Sequence, residues 1–129
     1  MPPLTKGPTE GDLLKFDLDK NYTREVVTLL AGADYDLGSV LGQITATGKY
    51  ARSPAAETAG LVGAEEAAAV LIDAVDATGG DRAGVVVKRG PAIVATEALV
   101  FDPSVATEPA RAAKIASLTA LGIVARATA

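Results

Sequence analysis

Hydrophobic positions in the first hundred residues recur at every second residue or in short apolar runs, which is the pattern of β-strands. The run GVVVKRG, residues 84–90, is the clearest, because consecutive valines are costly in a helix and natural on a sheet. Residues 25–32, EVVTLLAG, and residues 40–52, VLGQITATGKYAR, predict two earlier strands. Residues 91–101, PAIVATEALVF, predict a further extended stretch, with an edge or a bend at Pro91.

The segment AEEAAAVLIDAV, residues 64–75, is compatible with two structures. Its Ala, Glu and Leu residues favour a helix. Its cluster of Val70, Leu71 and Ile72 is short and bounded by turn residues, which is typical of a buried strand. We interpret Ala69 to Val75 as a strand.

The C-terminal region contains the one helix that the pattern predicts. Thr107 can act as its N-cap, Glu108 and Pro109 suit its first turn, and Gly122 can end it. Between these ends an apolar stripe recurs every three residues, at Ala112, Ile115, Leu118 and Leu121. Residues 123 and 124 then predict a short final strand. The predicted fold class is α+β, mainly β, with one C-terminal helix.

The first 24 residues predict an extended N-terminal arm, because they are rich in Pro, Gly and charge, and residues 25–129 then form the domain. Within the arm, Leu14, Phe16 and Leu18 alternate with polar residues, as on one face of a strand. This strand either pairs with the protein's own sheet or adds to a strand of a partner.

The stretch GQITATGKY, residues 42–50, resembles a phosphate-binding loop only superficially. Such a loop has four residues between its glycines and a Ser or Thr after the lysine. Here five residues separate Gly42 from Gly48, and Tyr50 follows the lysine. We interpret the stretch as a strand that ends in a Gly-Lys turn.

Large side chains are scarce in this chain of 129 residues, which has two Phe, three Tyr and no Trp. Its apolar residues are mostly Ala and Val, so one domain of this size has limited burial to stabilise it. We therefore expect the protein to pack against copies of itself or against another protein.

The charge and the missing residue types exclude several functions. A net charge of −4 argues against the basic surface that nucleic-acid-binding proteins carry. The chain has no His, the commonest general base and metal ligand, and no Cys. No signal peptide or membrane-spanning run is recognisable, so we expect folding in a reducing cytoplasm and no membrane partner.

The remaining polar candidates do not form a recognisable catalytic or metal site, and we predict no catalytic residue, metal or cofactor. The carboxylate pairs lack the spacing of a calcium loop and are interpreted as solvated or turn residues; they are Asp34/Asp36, Glu65/Glu66 and Asp73/Asp76. The serines have no histidine to activate them, and no spacing indicates a Ser/Lys dyad; they are Ser39, Ser53, Ser104 and Ser117.

Three segments in order resemble the head decoration proteins of tailed bacteriophages, the lambda protein D type. They are REVVTLLAGADYDLGSVLGQITATGKY from residue 24, AVLIDAVDATGGDRAGVVVKRGPAIVATEALVF from residue 69, and ARAAKIASLTALGIVAR from residue 110. The intervening SPAAETAGLVGAEEA, residues 53–67, departs from the family pattern by being longer and richer in alanine.

The resemblance implies a β-clip-like domain that forms homotrimers on the outer surface of the virion capsid. There it would bind the major capsid protein and stabilise the shell against internal DNA pressure, with the N-terminal arm adding a strand to the shell protein. We predict that Leu14, Phe16 and Leu18 make this capsid contact, and that the GVVVKRG region packs between subunits. A non-catalytic β-barrel binding module is the alternative, and a nucleotide hydrolase of β-clip type is a more remote one.

Overall fold

A computed structural model describes residues 13–127 of the chain, with the side chain of Lys20 excepted. The described part is mainly β with one long C-terminal helix, so the predicted fold class is confirmed. The strands are β1 (Leu14–Asp17), β2 (Arg24–Leu29), β3 (Asp34–Tyr35), β4 (Val40–Gln43), β5 (Tyr50–Arg52), β6 (Ala69–Leu71), β7 (Val75–Asp76), β8 (Arg82–Val87), β9 (Ala92–Ala95) and β10 (Ile123–Arg126). The helices are α1 (Lys20–Thr23), a 3₁₀ turn (Thr96–Ala98) and α2 (Glu108–Ala120).

The strands form a barrel, a separate sheet and a short ribbon. The closed barrel has the order β2-β5-β4-β6-β8, and β3 pairs with β7 in the ribbon. The sheet has the order β1-β9-β10, with β1 antiparallel and β10 parallel to the central β9. Both ends of the described chain therefore meet in one sheet, on either side of β9.

The core lies on both sides of the barrel wall. Consecutive residues of a strand point to opposite faces, and neighbours in β4, β6 and β8 belong to different apolar clusters. Leu41, Leu71 and Val86 pack with Leu29 in one cluster, within the barrel. Val40, Val70 and Val87 pack in the other, which lies between the barrel, the sheet and α2; its further members include Leu13, Val94, Leu118 and Ile123. Burial on both faces explains the continuous apolar runs of these strands.

Residues 40–52 form a hairpin, so the prediction of a single strand was wrong. β4 and β5 pair antiparallel, and Gly48 lies in the turn with φ +74°. The Ile44 N–H donates to the Lys49 carbonyl at 2.8 Å, which closes the turn. A glycine adopts this left-handed conformation at little cost, and it allows the chain to reverse. A strand-turn-strand unit is also unlike the strand-loop-helix of a phosphate-binding loop.

The prediction of one strand over Ala69–Val75 was only partly right, because Ala69–Leu71 form β6 of the barrel, a bend follows at Asp73, and Val75 begins β7 of the ribbon. Val70 pairs with Val40 on one side and with Val87 on the other. These two neighbours satisfy the backbone and bury the side chain, which outweighs the helical propensity of the alanines.

Pro91 lies in a bend just before β9, which is one of the two alternatives that the sequence left open, and β9 is the central strand of its sheet rather than an edge. Proline has no backbone N–H, and because Pro91 lies just before the strand, the sheet loses no hydrogen bond. The Pro91 carbonyl accepts a hydrogen bond from Leu18 N–H at 3.1 Å.

The helix α2 has the predicted ends. The Thr107 hydroxyl accepts from Ala110 N–H at 3.3 Å, and Gly122 has φ +86°. The predicted apolar stripe is only partly right. Leu118 is buried and Ile115 packs against the core, but Ala112 is exposed and Leu121 is 39% exposed. A spacing of three drifts around a helix with 3.6 residues per turn, and the buried positions are Lys114 and Leu118, four apart. None of the helices in residues 13–127 is long and apolar enough to cross a bilayer.

Candidate interaction surface

The strand of the predicted arm pairs with the protein's own sheet. β1 lies antiparallel to β9, with Leu14 opposite Val94 and Asp17 opposite Ala92. It is an edge strand of the sheet that the described residues form. Of the two pairings that the sequence left open, the structure shows the one within the chain, and the outer edge of β1 faces away from the sheet.

The three predicted contact residues do not share one environment; Leu14 and Phe16 lie in β1, and Leu18 follows it. The register shifts between Leu14 and Phe16, which breaks the strict alternation. Leu14 is half-buried against the core and Leu13 before it is fully buried. Phe16 is 46% exposed and Leu18 is 65% exposed. The segment is thus anchored at its start and presents two large apolar side chains later.

Polar contacts hold the turn from β1 into β2. The Asp17 carboxylate accepts from the Thr23 hydroxyl at 2.8 Å and from Arg24 Nε at 3.0 Å. Asp19 caps α1 by accepting from Asn21 N–H at 2.9 Å. Residues 13–24 are therefore part of the folded unit, and the earlier part of the predicted arm lies outside the described residues. The assignment of residues 1–24 to a capsid-binding arm and of residues 25–129 to the domain stays a prediction.

A second group of charges lies beside this turn. Glu25 accepts from Lys88 Nζ at 3.0 Å and lies 3.5 Å from Arg89 Nη2. Arg89 also donates to the Tyr22 carbonyl at 2.6 Å, with its guanidinium 5.4 Å from the centre of the Tyr22 ring. The hydrogen bond from Lys88, with the charges of both cations, holds the pKa of Glu25 below its ordinary value of 4.5.

This lowered pKa predicts a pH-dependent contribution to stability. Since the folded pKa of Glu25 lies below the unfolded one, its contribution is present above pH 4.5 and is lost as the pH falls through the lower value. In urea unfolding, Glu25→Gln should cost a few tenths of a kcal/mol at pH 7, because the pair is largely solvent-exposed. The difference from wild type should become smaller as the pH falls below 4.5. Glu57→Gln, in an exposed loop, is the control; a loss that stays the same as the pH falls would contradict the prediction.

Most of the chain matches a family model. The model described as bacteriophage lambda head decoration protein D matches residues 3–123. The chain belongs to this family. Nothing among the curated proteins matches it. Family membership implies a role in decorating a phage capsid, and it assigns the protein to the virion.

The helix α2 of this head decoration protein contains a buried lysine, which is rare for this residue type. Lys114 is 5% exposed, and its Nζ donates to the Ser53 hydroxyl at 2.8 Å, the Pro54 carbonyl at 2.6 Å and the Glu65 carbonyl. Burial lowers its pKa. Its partner Ser53 is also buried, at 1% exposure, so the pair lies in a closed site. The contact is a cross-link between α2 and residues 53–65.

Sequence reasoning missed this cross-link, because Ser53 and Lys114 are far apart in the chain and a lysine on a helix is normally exposed. The only available signal was that Lys114 lies four residues before Leu118, on the face that the helix buries.

Two of the paired carboxylates accept local hydrogen bonds, Asp76 from Thr78 N–H at 3.0 Å and Glu65 from Gly63 N–H at 2.7 Å. Asp34 lies opposite Asp76 in the β3-β7 ribbon. Asp81 forms an ion pair with Lys49 at 2.6 Å. Within residues 13–127, no three acidic side chains come together in a way that could hold a metal ion.

Proposed function

We propose that this protein is a capsid cement. It binds as trimers to the outside of the mature phage head, contacts the major capsid protein and stabilises the shell against the pressure of the packaged DNA. Membership of the head decoration family supports the role, and the edge strand β1 with its exposed apolar residues supports the mode of contact. The edge strand is the observation that carries the proposed contact.

The contact is made by the segment Leu14–Leu18, as part of a capsid-binding arm that extends over residues 1–24. An edge strand can receive a further strand, whose main-chain hydrogen bonds supply affinity while side chains supply specificity. Leu14 anchors the strand to its own core, whereas Phe16 and Leu18 are exposed and available to a shell protein. Both side chains lose their remaining water contact when the shell strand docks.

Three copies of this contact in one trimer make binding cooperative. Once one edge strand has docked, the other two are held near their sites at a high effective concentration. The trimer then binds firmly only where three shell sites have the right separation, as in a matured lattice. Weak single contacts are sufficient for this mode of binding.

The double variant Phe16→Ser, Leu18→Ser tests the contact. Each side chain contributes about 1–2 kcal/mol when its exposed part is buried, so a single site should weaken at least about tenfold and a trimer by more. Occupancy is measured by co-sedimentation with expanded capsids that lack the protein. Val62→Ser is the matched control, since Val62 is also 46% exposed but lies in another loop.

Full capsid occupancy by the double variant, at the concentrations that saturate with wild type, would show that β1 is not the contact. Absence of capsid binding by the wild type itself would refute the cement role and favour the non-catalytic β-barrel binding module.

A further inference from the structure

Thr23, the last residue of α1, is a threonine with no exposure to solvent. Its hydroxyl lies 2.8 Å from Asp17 Oδ2 and 3.0 Å from the Asp19 carbonyl. That carbonyl already accepts from the N–H groups of Tyr22 and Thr23, each at 2.8 Å. A carboxylate is the stronger acceptor, because its hydrogen bonds are charge-assisted. The Thr23 hydroxyl is therefore directed at Asp17, the last residue of β1.

The main chain around Thr23 belongs to the barrel side of the molecule. The Thr23 carbonyl accepts from Lys88 N–H at 2.9 Å, just after β8, and the next residue, Arg24, begins β2. Arg24 Nε donates to the same Asp17 oxygen at 3.0 Å, and the side chains of Arg24 and Asp17 are only 22% and 15% exposed. Two donors on the barrel side therefore reach one carboxylate oxygen at the end of β1.

This contact also determines where the neighbours of Asp17 point. Successive side chains of an extended chain point to opposite faces. Because the Asp17 side chain faces Thr23, Phe16 and Leu18 face away from it, in agreement with their exposure of 46% and 65%. β1 has four residues and, within the described part of the chain, one neighbouring strand. Short edge strands open easily, so a side-chain contact at the end of β1 keeps that end in place.

We propose that Thr23 is a positioning residue for capsid binding: its buried hydroxyl holds Asp17 and thereby keeps Phe16 and Leu18 in the conformation that the shell strand recognises. This inference rests on the proposed function for the identity of the partner, and it adds the group that orders the contact in advance. A strand that is ordered for only part of the time binds more weakly, in proportion to the ordered fraction. Thr23 acts through Asp17 and does not itself touch the shell protein.

Thr23→Val, which keeps the shape of the side chain and removes the hydroxyl, tests the proposal. Hydrogen exchange of the free protein reports the order of β1 through Leu18 N–H, which donates to the Pro91 carbonyl at 3.1 Å. This amide should exchange about tenfold faster, as expected for the loss of one hydrogen bond to a charged group. Ile72 N–H, which donates to the Val85 carbonyl at 3.0 Å beside the barrel, should change much less.

Capsid binding is measured on the same variants by co-sedimentation. Thr23→Val should raise the concentration for half-occupancy by about tenfold, in parallel with the lost order. Thr23→Ser restores the hydroxyl and should match wild type in both assays. Thr119→Val is the control, since this exposed hydroxyl also donates to a carbonyl four residues earlier, that of Ile115 at 2.9 Å, but lies on α2. Asp17→Asn weakens the same contact and serves if the valine variant does not fold.

The two measurements separate positioning from a general effect on stability. Unchanged exchange at Leu18 in Thr23→Val would show that the hydroxyl does not order β1. An equal acceleration at Leu18 and Ile72 would show a purely structural role, and faster exchange at Leu18 with wild-type occupancy would show that this order does not serve capsid binding. Each of these results overturns the inference.

Failure of the proposed function gives a different result. Wild type would then fail to bind capsids, or the Phe16→Ser, Leu18→Ser variant would bind them fully, and the inference would be wrong together with the contact that it serves. If wild type binds and the double variant does not, the comparison of Thr23→Val with Thr23→Ser decides the inference by itself.

Discussion

Replacing Gly90 by alanine should lower the free energy of unfolding by about 3 kcal/mol or more, one of the two largest effects expected in the chain. Gly90 packs against Gly122, the residue that ends α2. Its N–H donates to the Leu121 carbonyl at 2.9 Å, and Ala92 N–H donates to the Gly122 carbonyl at 3.1 Å. An added Cβ at Gly90 would overlap that carbonyl and lie 2.8 Å from the Gly122 Cα.

The overlap is costly because both partners are backbone atoms, and no rotation of a side chain can relieve it. The chain would have to move Gly122 away from Gly90, and with it β10 away from β9. Since β1 lies on the other side of β9, the damage would spread to the strand that we propose contacts the capsid.

Thermal and urea unfolding of Gly90→Ala measure this effect. Gly79→Ala is the control, because a Cβ at Gly79 would meet nothing within 4 Å and its φ is not positive. The control should be neutral or slightly stabilising, since alanine reduces the freedom of the unfolded chain. A Gly90→Ala protein as stable as wild type would mean that the two glycines do not pack as closely as the structure shows.

Replacing Lys114 by methionine should lower the free energy of unfolding by about 2–4 kcal/mol. Methionine keeps most of the buried stem but removes the donor for Ser53, Pro54 and Glu65, whose oxygens would remain buried without it. The loss is limited because the ammonium itself is costly to bury, as its lowered pKa indicates.

Urea unfolding at pH 7 measures the loss. Ala116→Met, at an exposed position of the same helix, should stay within about 0.5 kcal/mol of wild type. Ser53→Ala removes one acceptor and leaves the lysine with two, so it should cost about 1 kcal/mol. If Lys114→Met is as stable as wild type, the cross-link does not hold residues 53–65 against α2.

Local patterns were sufficient for most elements of the fold. Consecutive valines in β8 and the capping residues of α2 act within a few positions of the chain, so they could be interpreted without a tertiary structure. The turn at Gly48 was recognised in the sequence, but the returning strand β5 was missed because it is only three residues long. The mixed environment of Leu14, Phe16 and Leu18 was missed because it depends on the register shift against β9.

The candidate surfaces were predicted only in part. Phe16 and Leu18 stand out in sequence as apolar residues in a polar arm, and the structure shows them exposed.

The sequence by itself determined the β-rich fold class, the C-terminal helix with its ends, and the family likeness. These depend on side-chain periodicity, backbone preference and the order of segments, which can all be recognised in the sequence without a tertiary structure. Only the tertiary structure decided that β1 pairs with β9, that Lys114 is buried among carbonyl groups, and that Gly90 must lie against Gly122. Each of these joins residues distant in sequence, and the energies that select such contacts, from packing, burial and hydrogen-bond satisfaction, exist only once the folded chain brings the partners together.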